Sequence, residues 1–409
     1  MKPEKLLIRA KELQDVMVSE RRYLHTHAET GFDLKDTLAF VKKELSDMGY
    51  EPKECGKSGL VALAGGKKEG KVFLLRADMD ALPVKEEAEV DFPCSNGNMH
   101  ACGHDMHTAM LLGAARILKE QEDEIQGTIK LMFQPAEEIF EGSQDMISSG
   151  LLQNPSVDGG LMIHVMAGMP VPAGTVIVSA PGVSAPAADY FEIKVRGKGC
   201  HGSMPNTGVD PLTAAAHILI GLQEIHSREL AMDDRAVLTI GTMNGGTAAN
   251  VIPDTVVMGG SIRTFEEETR TLIKKRMQEI VQGIAGAFRA EAEVVFGSGC
   301  PTLVNDRDMS LCAEKYVKEL LKDEGKAFSV RELQSMAENQ TSSKSAGSED
   351  FAYVSHEIPS VMLALAAGEP EKGYPYPQHH PMVKFDEKAL SYGSAIYCYT
   401  AMRWLEEHK

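Results

Sequence analysis

The run "KVFLLRADMDALP", from Lys71, is apolar at successive positions, breaks at Asp78 and ends in a turn before Pro83, the pattern of a strand buried on both faces. Three more runs behave alike. "TIKLMFQPAEE" leads into Glu137 and Glu138, "GGLMIHV" into His164, and "SVMLALAAGE" into the loop that carries "YPYPQHHP". Between them, "DMHTAMLLGAARILKEQ" places Met106, Met110, Ala114 and Ile117 at helical spacing. Alternating strands and helices predict an α/β domain, a mainly parallel sheet with helices on both faces. Such sheets gather ligands at the carboxyl ends of their strands, and these polar residues fall there.

The middle of the chain has another rhythm. "PAADYFEIKVRGKG" reads as a half-exposed strand, "DPLTAAAHILIGLQEIHS" as a helix, "AVLTIGTMNGG" and "TVVMGGSIRTF" as strands, "EETRTLIKKRMQEIVQGIAGAF" as a helix and "EAEVVFG" as a strand. That order, βαββαβ, is the ferredoxin-like α+β arrangement. The strand pattern of the first domain resumes after "GSGCPTLVND", so residues 186–301 are expected as an insertion between 1–185 and 302–409. A chain of 409 residues exceeds what one core usually sustains, which also favours two domains.

Charge narrows the partners. Lysine and arginine number 42 against 59 acidic residues, a net charge of -17, and no long basic run interrupts the deficit. Nucleic acid and anionic membrane surfaces are therefore poor partners. The segment "MKPEKLLIRAKELQDVMVSERRYLHTH" is charged throughout and lacks the apolar core of a secretory signal, and apolar runs such as "VMLALAAG" are too short to span a bilayer. Seven scattered cysteines do not form a disulfide framework. The expectation is a cytoplasmic protein with mostly reduced thiols.

One of those thiols sits in "MHACGHDMH", Met99–His107, where Cys102 and His104 lie two residues apart just before a helix. Thiolate and imidazole suit zinc and its transition-series neighbours, whereas calcium and magnesium prefer oxygen. In "FQPAEE", the adjacent carboxylates of Glu137 and Glu138 would repel unless a cation or a shared proton relieves them. A metal does so and divides the labour. Glu138 can ligate while Glu137 is left as general base toward water. Each motif alone admits a bland reading: a chance Cys-x-His, a solvated acidic pair, a core histidine at His164, an ordinary loop at "QHHP". Their joint placement at strand ends of one sheet favours a metal site.

These motifs resemble the metal-dependent amidohydrolases that include hippurate hydrolases, plant auxin-conjugate hydrolases and N-acyl amino acid deacetylases, relatives of aminoacylases and the dinuclear zinc carboxypeptidases. "LHTHAETGF", "RADMDALPV", "MHACGHDMHTAML", "FQPAEE", "IHV", "GCHGSMP", "GGTAANVIPD", "GSIRTF", "GSEDFAYV" and "HHPMVKFDE" follow in family order over nearly the whole chain. The resemblance implies two divalent ions (zinc, manganese, nickel or cobalt) held by Cys102, His104, Glu138, His164 and His379. Cys102 would bridge them, and His379 rather than His380 matches the ligand in "QHHP". Glu137 would be the catalytic base.

The inserted domain resembles the family's lid and dimerisation domain. There, His201 of "GCHGSMP" and Asn250 of "GGTAANVIPD" would stabilise the oxyanion on the attacked carbonyl. Arg263 would hold the substrate carboxylate as a bidentate fork, or else be a surface arginine on a strand. His100 and His107 are expected to support the ligands or the fold. Asn206, Met106 and the missing proline of "HAETGF" depart from the family pattern without touching a metal ligand, and bear on acyl and amino acid preference.

The implied activity is amide hydrolysis of an N-acyl amino acid (N-acetyl, N-benzoyl or similar), giving a carboxylate and a free amino acid. A homodimer or tetramer is implied, with a small-molecule substrate as partner. A di- or tripeptidase on the same scaffold, or a noncatalytic protein with a metal clamp, are the competing readings.

Overall fold

In the computed structural model, which describes residues 2–330, 332 and 347–409, the chain divides into two compact units. One takes its described residues from 1–184, 304–343 and 350–409, the other from 185–303 and 344–349.

The first unit is built on eight strands: β1 (Lys53–Cys55), β2 (Gly59–Gly65), β3 (Val72–Asp78), β4 (Thr128–Gln134), β5 (Gly159–Met166), β6 (Val176–Val178), β15 (Ala327–Ser329) and β16 (Ser360–Ala366). Their order is β1-β2-β4-β3-β5-β16-β6-β15. The central strands β4, β3, β5 and β16 run parallel, while β1, β2 and β6 join antiparallel. Parallel strands need cover on both faces, and β3 is buried at every position.

The described residues form the α-helices α1 (Pro3–Glu12), α2 (Gln14–Thr26), α3 (Lys35–Asp47), α4 (His104–Glu120), α5 (Gly142–Ser148), α6 (Pro211–Glu224), α7 (Glu267–Ala287), α8 (Arg307–Leu320), α9 (Ala352–Glu357) and α10 (Ala389–Glu407). Helices α4 and α10 pack on each other and on β3, and α5 and α9 pack together against β4 and β16. The expected stripe on α4 is only part of its buried surface: 14 of its 17 residues are buried. A helix covered all round is a core helix, and here it starts at His104.

The second unit carries β8 (Ala187–Arg196), β10 (Ala236–Gly245), β12 (Thr255–Thr264) and β13 (Glu291–Cys300) in the order β10-β12-β8-β13, all antiparallel. With α6 and α7 this is the ferredoxin-like order. Ile193, Val195, Ile218, Leu222, Met258, Ile273 and Met277 make its core. Four short strands pair separately: β7 (Gly182–Ala185) with β14 (Leu303–Asn305) in the first case, and β9 (Cys200–His201) with β11 (Val251–Ile252) in the second. Among the described residues, no helix is long and apolar enough to cross a membrane.

Candidate metal centre

The polar residues at the strand ends converge because the chain turns sharply beside each. Gly103 adopts φ 90°, and a Cβ there would lie 2.5 Å from Val165 Cγ2. Only glycine fits that left-handed, crowded position, which lets Cys102 and His104 face one place. Ala136 (φ 55°) and His379 (φ 65°) occupy the same region without that freedom. Such strain persists where the surroundings enforce it. Here the Ala136 N–H donates to Gly31 O at 3.1 Å, and the His379 N–H donates to Ala101 O at 2.9 Å.

All five residues expected as ligands come together. Cys102 Sγ lies 3.3 Å from His379 Nε2 and 3.6 Å from His164 Nε2. Glu138 Oε1 lies 3.6 Å from His379 Nε2 and 3.8 Å from His104 Nε2, and Glu137 Oε2 lies 3.9 Å from His104 Nε2. Ligand atoms cluster within 4.8 Å as Cys102–His104–His164 and as Cys102–Glu138–His379. The sulfur is common to both groups, the placement a bridging ligand needs. His380 turns elsewhere: its ring stacks on Tyr376 at 4.3 Å, and its Nδ1 accepts the Met382 N–H.

The cluster has the chemistry of a cation site. His104 Nε2 and Glu138 Oε1 are buried and make no hydrogen bond among the described residues. Buried polar atoms without partners are costly, and a cation would satisfy both. Sulfur, imidazole and carboxylate donors together fit divalent ions such as zinc, manganese, cobalt or nickel.

Without a cation the cluster holds protons. Burial pushes the Glu138 carboxyl up to about 7 against the pull of His104, with Asp80 and Asp78 adding to the rise. Burial, then Glu138, raises the Cys102 thiol well above its usual range. Burial would lower His104, but the Asp78 carboxylate and the hydrogen bond to Asp80 work against it and hold the imidazole well above its usual value. Such protons leave when a metal binds.

Around the ligands lies a shell that sequence reading largely missed. His104 Nδ1 donates to Asp80 O at 2.8 Å, and the Asp80 carboxylate accepts the backbone N–H groups of Glu137 and Glu138 at 3.0 and 3.1 Å. His107 Nδ1 pairs with Asp78 Oδ1 at 2.5 Å while its Nε2 accepts the Val165 N–H at 2.8 Å, beside His164. Asp105, next to His104, pairs with Arg21 at 2.7 Å and His25 at 2.8 Å. The alternating acids of "RADMD" were the signal for Asp78 and Asp80, masked because they also mark a strand's end. His100 is buried, yet neither ring nitrogen has a hydrogen-bond partner among the described residues.

In the second unit, His201 and Asn250 lie side by side on the β9–β11 ribbon, where His201 pairs with Val251 and the Gly202 N–H donates to Asn250 O at 2.8 Å. Both are exposed. The Ser203 N–H donates to His201 Nδ1 at 3.1 Å, so in the neutral ring the proton belongs on Nε2. Arg263 is elsewhere. It pairs with Ala188 at the start of β8, whereas Thr255, next to the ribbon, pairs with Arg196 at its end. Those 263 − 255 = 8 steps of regular strand span about 26 Å. Arg263 there contacts Ser348 Oγ and the Tyr190 hydroxyl, each at 3.2 Å.

Residues 74–403 match the family described as peptidase family M20/M25/M40. The chain belongs to this family. Membership makes it a metal-dependent amide hydrolase of a dinuclear metal-binding family and decides against a noncatalytic metal clamp. Among M20 relatives, the chain is 34% identical to N-acetyl-L-cysteine deacetylase of Bacillus subtilis (strain 168), over 100% of this chain and 93% of that one. It is 36% identical to IAA-amino acid hydrolase ILR1-like 2 of Arabidopsis thaliana, over 97% and 87%. Its fold matches the Bacillus subtilis YXEP protein, a dinuclear metal binding peptidase from the M20 family, with a TM-score of 0.76 at 30% identity, covering 97% of this chain and 99% of that one.

Proposed function

We propose that this chain hydrolyses the amide bond of N-acyl amino acids bearing an N-acetyl, N-benzoyl or similar group. The observation that carries the reading is the unequal environment of two adjacent carboxylates. Glu138 points an unpartnered oxygen at His104 and His379, as a ligand would, while Glu137 Oε1 accepts the Asp350 N–H at 3.4 Å and its Oε2 stands 3.9 Å from His104. The relatives' names, which belong to enzymes acting on an N-acetyl amino acid and on an amino acid conjugate, support the substrate class.

Cys102, His104, Glu138, His164 and His379 would hold two divalent ions, the Cys102 sulfur lying close to both groups of donors. Bound there, such ions supply Lewis acidity that polarises a carbonyl and lowers the pKa of water toward about 7. Glu137 accepts the proton of the attacking water on its carboxylate and returns it to the leaving amine nitrogen. The His201 Nε2–H and the Asn250 amide donate to the oxyanion as it forms. Arg263 exchanges its contacts with Ser348 and Tyr190 for the substrate carboxylate.

The second unit also bears on assembly. Arg263 lies about 26 Å of strand from Thr255, where the chain leaves the β9–β11 ribbon, too far for one small amino acid derivative to touch both Arg263 and the ribbon in a single chain. The reading is therefore a homodimer in which His201 and Asn250 of one chain serve the substrate held by its partner. A cytoplasmic setting agrees with seven cysteines that are all free thiols.

The competing substrate class is a free di- or tripeptide, since the YXEP protein is described as a peptidase. Stripped protein, reloaded separately with manganese, zinc, cobalt or nickel, would be assayed on N-acetyl and N-benzoyl amino acids and on free dipeptides. Acylated amino acids should be turned over with the higher kcat/KM. A preference for dipeptides with every metal would overturn the proposal.

A further inference from the structure

The turn between Gln134 and Ser143 carries both functional glutamates, and it contains proline, a left-handed alanine and no regular structure of its own. Something must hold it. Asp350, from a segment more than 200 residues further on and fully buried, reaches both ends. Its Oδ1 accepts Gln134 Nε2 at 2.6 Å, where β4 stops, and its Oδ2 accepts the Ser143 N–H at 2.9 Å, where α5 starts. Ser143 Oγ lies 2.9 Å from Gln134 Oε1 and 3.3 Å from Asp350 Oδ1, closing the loop.

Charge is matched by Arg76, also buried. Its Nη2 lies 3.3 Å from Asp350 Oδ1, its Nε donates to Gln134 Oε1 at 2.8 Å, and its Nη1 donates to Asp78 Oδ2 at 2.8 Å. Asp78 in turn holds His107. The Asp350 backbone N–H also points at Glu137 Oε1, at 3.4 Å.

We propose that Asp350 is a positioning residue of Glu137: where Asp80 holds the middle of the glutamate turn, the Asp350 carboxylate clamps both of its ends, and its backbone N–H aims the glutamate's carboxylate. This rests on Glu137 being the base. Displacing a reacting group by about 1 Å can cost on the order of a hundredfold in rate. An asparagine at 350 keeps the volume but sets an amide N–H₂ against either Gln134 Nε2 or the Ser143 N–H, releasing one end of the turn.

The test is a cycle of variants of the metal-loaded protein: Asp350→Asn, Glu137→Gln and the pair. Metal content is read by elemental analysis alongside kcat, KM and thermal unfolding. Asp350→Asn should keep both metals and a KM within about twofold while kcat falls on the order of ten- to a hundredfold. In the Glu137→Gln background the same change should leave the residual rate unaltered, because nothing remains to be aimed. Ser143→Ala removes one hydroxyl without burying an unpaired charge, and should show the same pattern with a smaller loss if Asp350→Asn does not fold. An equal fold-loss in both backgrounds, metal loss in step with rate loss, or full kcat in both Asp350→Asn and Ser143→Ala would overturn the proposal. Full turnover by Glu137→Gln would overturn the base assignment and the proposal with it.

Discussion

The two units treat their candidate functional residues in opposite ways. In the first, Cys102, His104, Asp78, Asp80, Asp105 and His107 are all buried, and the side chains that do not face the cation site are hydrogen-bonded to one another or to backbone. In the second, His201 and Asn250 stand exposed on a two-stranded ribbon. Burying a charge without a partner costs several kcal/mol, so the first unit must complete its polar network within itself. His201 and Asn250 carry no such obligation and stay in water until a substrate or a partner surface arrives, whereas Asp189, the buried acid of their unit, is paired with Arg270 and Lys274. A centre that binds cations needs rigidity, and a group that meets a transient charge needs access.

The largest test of this contrast lies within the first unit, between neighbours. Glu137→Gln should retain metal and lose turnover by about a hundred- to ten-thousandfold, the usual range for a general base. Glu138→Ala should lose metal as well, since its Oε1 stands between His104 and His379. Elemental analysis of both variants decides the matter: equal metal loss would mean that the two carboxylates share one role.

Next comes the second unit. His201→Ala removes an exposed side chain from a ribbon, so folding and metal content should be unchanged while kcat falls roughly a hundred- to a thousandfold, as for the loss of one oxyanion donor. If that donor serves the partner's centre, unfolding Glu137→Ala and His201→Ala chains together and reassembling them makes half the dimers mixed, each with one complete site. Activity should return to about a quarter of the parent's. No recovery, with mixed dimers verified by two different affinity tags, would place His201 at its own chain's centre.

How far these roles were legible in the sequence follows from the same contrast. Strands and core helices were legible because burial imposes a period, and β3, β4, β5, β16 and α4 begin or end where apolar runs meet the motifs. The candidate ligands were legible partly because thiolate, imidazole and paired carboxylates carry metal-binding chemistry and partly through the family resemblance of their motifs. Supporting residues were not. Asp78 and Asp80 read as a strand's end, Arg76 as one charge in an apolar run, and Asp350 as part of a loop motif. Their meaning comes from partners tens to hundreds of residues away, which only packing brings together. The roughly 26 Å of strand between Thr255, beside the ribbon, and Arg263 was hidden for a like reason: the family resemblance implies substrate roles at both ends, and only the strand register separates them.

The finest test uses two histidines that the motif "MHACGHDMH" presents as equals. His107 ties Asp78 to the backbone of Val165, one residue from the candidate ligand His164, and is itself pushed down to about 4 by burial, against Asp78, so it acts as a neutral linker. His107→Ala leaves the Asp78 Oδ1 and Val165 N–H bonds unmade, and should weaken metal affinity by about ten- to a hundredfold, the range for residues that orient ligands. His100 is equally buried and pushed lower, to about 3, chiefly by burial, yet neither nitrogen has a hydrogen-bond partner among the described residues. An unpartnered polar ring contributes no bond to lose, so replacing it with an apolar ring of similar shape is expected to be nearly neutral or mildly stabilising, within about 1 kcal/mol. His100→Phe should therefore keep metal affinity within about twofold of the parent and unfold at the same temperature or slightly above. Competition titration against a chelator and thermal unfolding, run on both variants, measure the difference. Matched losses of metal from the two would mean that His100 orients the centre through a bridging water.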